Sequence, residues 1–315
     1  MNISSLTPMR RPEEPILEPT LIVELRQPEM MRHNRWDPGY YDKRFRDNER
    51  ELKKLASVAL GDFIPELLPD GSKGITYGQV GARKLNPRGS VRYLQVINIR
   101  DTGIDFSLKP DRVAENSHND PARSRVRARD ILFTNNAFRG TDTLIGRCVV
   151  VPRDYGKVNI SQHIDRIRVA GISPFYVCVF LKSRLGTLQV QRVMHGVDST
   201  GISFPRIRAL LIPPLDDASQ TEVETQYLAM SKCHDRAMAI KERLLEDHKI
   251  EPGQYGEAIN ALADENGSYR RAASEAEQRL KHIISELEAV LMANRKSSAW
   301  ITSHSMRAKR LRGAL

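Results

Sequence analysis

Cysteine is scarce in this chain. The three present, Cys148, Cys178 and Cys233, lie far apart and form no C-x-x-C, an odd count without metal spacing that fits reduced cytoplasmic thiols. The eight histidines are scattered without an H-x-x-x-H spacing, so no metal site is expected. No apolar run reaches the roughly 18 residues of a membrane-spanning helix, and no basic stretch followed by an apolar one opens the chain, so no secretory signal is expected. Neither G-x-x-x-x-G-K-[ST] nor G-x-S-x-G occurs, which removes a phosphate-cradling loop and a serine nucleophile elbow. A stand-alone DNA methyltransferase needs a glycine-rich loop for S-adenosylmethionine and an aromatic–proline catalytic loop. The nearest stretches are Asn86-Pro87-Arg88, which lacks the aromatic residue, and Thr134-Asn135-Asn136-Ala137-Phe138, which lacks the prolines. Asp62 and Glu66 lack a following E-x-K partner and read as solvated turn residues rather than nuclease carboxylates. The expectation is therefore no catalytic residue, no metal and no cofactor.

What is abundant is positive charge. A formal net charge of +10 favours a polyanionic partner, most often nucleic acid, although many basic proteins bind none. The charge is uneven: four arginines fall within the seven residues Arg123 to Arg129, and three arginines and a lysine between Arg307 and Arg312. A chain of 315 residues, 40% of them hydrophobic, is long and apolar enough for about two domains, or one with a long appendage.

Residues 1–34 carry several prolines and little periodicity and read as a flexible arm, with one short strand over Leu21–Leu25. A turn at Pro38-Gly39 is followed by helix formers from Asp47 to Ala59 with Leu52 and Leu55 on one face. Strands are expected over Val91–Ile99, Asp130–Thr134, Arg147–Val151, Ile164–Val169 and Ile207–Ile212. Asp111 to Arg127 reads as solvated and partly helical. Ser173-Pro174 opens a helix whose apolar positions run from Val177 through Leu188. After Leu215 the character changes. Val223, Tyr227, Met230, Cys233, Ala237, Ile240 and Leu244 recur on one helix face, Glu251-Pro252-Gly253 breaks it, and Leu280, Ile283, Leu287, Val290 and Leu291 form a second face. Two such helices form an antiparallel pair. They either pack on the domain or project as a coiled-coil arm, and the long charged faces favour the arm. Of these positions, Val223, Tyr227, Met230, Ile240, Leu244, Leu280, Ile283 and Leu287 are the expected partner-binding residues. Residues 216–296 are then a helical scaffold, and 297–315 a basic disordered tail.

Reading bases needs paired donors and acceptors: Asn and Gln suit adenine, Arg suits guanine. Three stretches carry such groups: Asn135, Asn136 and Arg139; Asn159, Gln162 and His163; Ser199, Thr200 and Arg206. Phosphate contacts are expected from Arg123, Arg125, Arg127, Arg147, Arg166, Arg184 and Arg192. Each has a plainer reading: Asn135-Asn136 closes a turn, Gln162-His163 is buried and satisfied by backbone, and Gly196 to Gly201 is an ordinary turn.

The order of several weak motifs resembles the specificity subunit of type I restriction–modification enzymes in a half-size form. They are Arg129-Asp130-Ile131-Leu132-Phe133-Thr134-Asn135-Asn136, Ile145-Gly146-Arg147-Cys148-Val149-Val150, Asn159 through His163, and Pro174-Phe175-Tyr176 leading to Leu181-Lys182-Ser183. Gly196 through Gly201, Ile207 through Pro214 and Gln220 follow, and Arg35-Trp36-Asp37-Pro38-Gly39-Tyr40-Tyr41 looks like the family's domain opening. The resemblance covers residues 35 to 245. It implies an α+β architecture, a mixed α/β DNA target-recognition domain over 35–215 followed by an antiparallel helical, coiled-coil arm. It also implies double-stranded DNA, an adenine methyltransferase subunit, in some systems a restriction or motor subunit, and self-association as partners. Two departures stand out: one recognition domain where full-length members carry two, and Arg129 where glycine is usual. The rival readings are an enzyme with degenerate nuclease or methyltransferase motifs, and a DNA-binding scaffold of another defence machine.

Overall fold

Asp42 starts helix α1 (Lys43–Lys54): its carboxylate accepts the Arg44 N–H at 2.8 Å, satisfying one of the donors that a helix start leaves unpaired. The computed structural model describes residues 38–79, 88–109, 111–136, 145–194, 201–249, 260–263 and 265–294. The expected arm over 1–34 and tail over 297–315 lie outside the described residues. Helix α1 buries Phe45, Asn48 and Leu52. It was expected to reach Ala59 but stops at Lys54, with Ala56 in the left-handed region at φ 52°. The chain then turns into strand β1 (Val58–Ala59), which pairs antiparallel with β9 (Leu211–Ile212).

Four strands form the central antiparallel sheet in the order β2 (Ile75–Tyr77), β8 (Ile164–Ile167), β5 (Ile131–Thr134), β6 (Cys148–Val150). The last three are the strands expected at those stretches. A second sheet joins β4 (Arg112–Val113), β3 (Val91–Leu94) and β7 (Val158–Ile160), with β3 and β7 parallel. The strand expected to reach Ile99 ends at Leu94. There the Asn98 side chain accepts the Gln95 N–H and donates to Asp105 O, both at 2.8 Å, an alternative that competes with the strand ladder. Alternation along the pleat gives the central sheet two buried faces. Ile131, Phe133, Cys148, Val150 and Ile167 enter one core; Leu132, Val149 and Ile164 join Leu94, Ile99 and Ile160 in another.

Helix α2 (Pro174–Lys182) begins with proline in its first turn and buries every residue from Pro174 to Leu181; a helix apolar on all sides belongs in the interior. The single helix expected from Pro174 onward is two. Ser183 separates them: its hydroxyl donates to Phe180 O at 2.6 Å and accepts the Gly186 N–H at 3.3 Å, capping α3 (Arg184–Met194). Pro205 in the first turn presets the short α4 (Phe204–Arg208), so the strand expected over Ile207–Ile212 shrinks to β9.

Helices α5 (Asp217–Asp247) and α6 (Gly267–Asn294) run antiparallel: Arg236 meets Glu275 at 3.0 Å, while further along α5 Lys241 reaches back to Asn260 at 2.9 Å. Their apolar faces are used inside this chain. Val223, Tyr227 and Met230 join Leu280, Ile283 and Leu287 in one core with Phe175 and Cys178 of α2. These six positions, expected to bind a partner, are therefore buried in cis, and Ile240 and Leu244 are half-buried. An amphipathic stripe requires a cover, but its period does not say whose. Polar contacts fasten α5 to the sheets. Tyr227 Oη accepts the Val150 N–H at 3.0 Å, and Lys241 Nζ meets the buried Asp105 carboxylate at 2.8 Å. His234 contacts Ile104 O at 3.1 Å through Nε2 and the Thr102 hydroxyl at 2.9 Å through Nδ1. Gly103 permits this approach, since a Cβ there would lie 2.4 Å from the His234 ring. No helix among the described residues is long and apolar enough to cross a membrane.

Candidate nucleic-acid interface

Parts of all three stretches singled out for base reading meet where β5 ends and β8 begins. Asn135 N–H donates to His163 O at 3.1 Å, and Ile202 N–H donates to Asn135 O at 2.8 Å. Gly201 makes the second contact feasible: it sits at φ 73°, and a Cβ would fall 2.6 Å from Asn135 O. Asn136, Gln162, His163 and Arg206 are half-buried around this junction, and burial holds the His163 ring below its ordinary pKa. Arg139, Ser199 and Thr200 lie outside the described residues.

The Asn135 amide is committed inward. Its Nδ2 donates to Asp165 Oδ1 at 2.6 Å and to Gln162 O at 3.4 Å. Both amide hydrogens are thus engaged, and the paired donor and acceptor that adenine recognition needs are not offered together. Asn159 is withdrawn entirely. It is buried in β7, donates to Asp120 Oδ1 at 2.8 Å and accepts the Ser124 hydroxyl at 2.7 Å. This contact also corrects the solvated, partly helical reading of Asp111 to Arg127. The segment holds β4, a single 3-10 turn at Ala122–Ser124 and the buried Asp120 and Ser124.

The arginines divide by burial. Arg123, in the 3-10 turn, and Arg125 and Arg127 after it fall at alternate positions and keep exposed guanidinium groups. Arg125 pairs with Asp120 at 2.5 Å, Arg127 with Asp70 at 2.7 Å, and Arg123 reaches Gln79 Oε1 at 3.4 Å. Arg129, next in the series, pairs with Glu224 of α5. Arg147 is half-buried, 3.8 Å from Asp101, and Arg184 is exposed. Arg166 is fully buried and donates to Lys73 O at 2.9 Å and Arg123 O at 3.1 Å. Burial, then the neighbouring Arg168, pull its pKa down to about 10. Arg192 is buried against Tyr40 and pairs with Glu49 at 2.7 Å. Against burial, which pushes the Glu49 carboxyl up, its hydrogen bond with Arg192 brings it down to about 2. Neither Arg166 nor Arg192 is available to a phosphate; both hold the fold.

Four residues complete this surface that sequence reasoning passed over. Tyr77, 42% exposed on the edge strand β2, packs its ring against Phe204 with centroids 5.8 Å apart. Two residues on, Gln79 Nε2 lies 2.8 Å from His118 Nε2, and Gln79 bridges to Ser161 just before Gln162. Gln79 thus links the loop junction to Arg123. The clue was the alternation Ile75, Tyr77, Gln79, but β2 is only three residues long, too short for a period to stand out. Chemically, the surface offers guanidinium, amide and imidazole groups beside two aromatic rings, a set suited to phosphates and base edges. Among the described residues, no group of three or more His, Cys, Asp or Glu converges as a metal site requires.

No protein-family model matches this chain, and no curated protein matches it. Among solved structures, it is similar to a chain from a structure concerned with complex assembly and conformational transition of the type I R-M system, at 18% identity and TM-score 0.37, covering 61% of this chain and 46% of that one. It is also similar to the S subunit of a type I restriction–modification system from M. genitalium, at 12% identity and TM-score 0.36, covering 61% and 42%. The chain spans less than half the length of either. Both neighbours come from type I restriction–modification systems.

Proposed function

We propose that this chain is a non-catalytic DNA-recognition subunit that selects a duplex sequence and positions a partner methyltransferase there. The observation that carries the reading is the continuity of one surface. The junction of Asn135–Asn136, Gln162–His163 and Gly201–Arg206 passes through Gln79 to the exposed guanidinium groups of Arg123, Arg125 and Arg127. Arginines beside a groove-reading element set register on the backbone, and the half-buried loop side chains supply the sequence-dependent contacts. In this reading residues 35–215 form the recognition unit and 216–296 the scaffold. With the inner faces of α5 and α6 covered in cis, a methyltransferase or a second copy meets their outer faces, where Val290 and Met292 are exposed. The partner extrudes and methylates the base; a restriction or motor subunit joins in systems that also cleave.

The test is selection from a random-sequence duplex pool by the purified full chain, followed by sequencing of what is retained. A defined motif is expected. Tight retention without any sequence preference would instead make the chain a DNA-binding scaffold.

A further inference from the structure

Asp165 stands on β8 directly opposite Phe133 of β5 and Tyr77 of β2, and residues opposite one another share a sheet face. Its side chain is fully buried. Oδ1 accepts the Asn135 amide at 2.6 Å, and Oδ2 meets no hydrogen-bond partner in the protein. Three loops depend on that one amide residue, because the backbone of Asn135 also holds His163 at 3.1 Å and Ile202 at 2.8 Å.

We propose that Asp165 is the positioning residue of this surface: it clamps Asn135 and, through it, locks the loops carrying Gln162–His163 and Gly201–Arg206 into one arrangement. Its functional consequence rests on the DNA-recognition reading; the clamp itself does not. A fully buried carboxylate with a single hydrogen bond is costly, so the group keeps its proton. Burial pushes it up to about 8, opposed only by the hydrogen bond from Asn135. The titratable or charged side chains on the surrounding elements include Tyr77 on β2, His163 before β8, Arg206 on α4 and, beyond Phe133, Cys148 of β6 with Cys178 of α2. Burial holds His163 below its ordinary pKa, and Arg206 turns its guanidinium to Val193 O at 3.5 Å. Above about pH 8 the ionised carboxylate needs water, and the direct way to admit it is to release Asn135.

The experiment compares the full-length wild type with Asp165→Asn and Asp165→Ala at about pH 6.5 and about pH 9, one unit above the titration. Hydrogen exchange at the Asn135 and Ile202 amides reports the clamp, and retention of the random-sequence duplex pool reports function. Asp165→Asn keeps a neutral acceptor for Asn135. Wild type and Asp165→Asn should exchange alike at the lower pH, with wild type roughly tenfold faster than Asp165→Asn at the higher one. Asp165→Ala should exchange fast at both, and duplex retention should fall wherever exchange rises. A wild-type to Asp165→Asn ratio that does not change with pH overturns the clamp, as does unaltered protection in Asp165→Ala. Exchange that moves while retention does not overturns the positioning role. If exchange behaves as expected but wild type retains no duplex at either pH, the clamp stands and the DNA-recognition reading fails.

Discussion

Strand β8 and the segment from Arg123 to Arg129 are both rich in arginine, yet they use it in opposite ways. On β8 and just beyond it, Arg166 and Arg168 point inward. Arg168 makes a two-bond pair with the buried Asp130 carboxylate, at 2.5 and 3.1 Å, and both arginines donate to backbone carbonyls of the segment above, those of Arg123 and Arg125. The segment's own arginines, held up by that scaffold, keep their side chains toward the surface, while Ser124 between them is buried. One arginine set fixes a backbone; the other is displayed by it. The difference teaches that charge marks a region for attention, while burial decides whether the charge meets a ligand or the protein itself.

The sharpest way to break the comparison is Arg168→Ala. It strands the buried Asp130 carboxylate and should cost about 3–5 kcal/mol, read as a lower urea midpoint. A loss no larger than that of a surface mutant would refute the inward role. A second probe uses pH at His234, another buried group that can carry positive charge, where α5 meets the loop at Thr102 and Ile104. Burial, the larger effect, lowers its pKa against the opposing Ile104 contact. The folded protein therefore resists protonation that the unfolded chain accepts below about 6.5. Stability from this group is present above that value and is lost as the pH falls through it. His234→Gln should flatten the urea midpoint between about pH 7 and about pH 5.5, and an equal slope in both proteins would remove His234 from the account. The smallest effect on folding belongs to the displayed set. Arg127→Ala removes an exposed pair with Asp70 and should change stability by less than about 1 kcal/mol. It should weaken retention of all duplexes alike and lower the salt slope by about one. Weakening confined to one sequence would make Arg127 a base reader instead.

Much of the architecture was legible. Strands β5, β6 and β8 announced themselves through β-branched and apolar runs, α2 through Ser173-Pro174, and the long helix pair through its period. What misled was local. Pro205 turned an apparent strand into α4, Ser183 split a helix by capping the next one, and Asn98 ended β3 early. The candidate surface was legible as three loops and an arginine run, and parts of all three loops do meet. The assignment of individual side chains was not. Asn135, Asn159, Arg166 and Arg192 carry the right groups for DNA, but the fold uses those groups itself, while Tyr77, Gln79 and His118 gave no periodic signal.

The sequence by itself determined the kinds of element, their order and the basic character of the chain, because helix and strand periods, caps and prolines act within a few residues. Only the tertiary structure decided which polar groups face inward. That choice depends on which strands lie side by side, and β8 receives Tyr77 from about ninety positions earlier and Phe133 from the other side. Asp165 is the case in point: as a residue it is an ordinary acid, and only its burial between β2 and β5 raises its pKa.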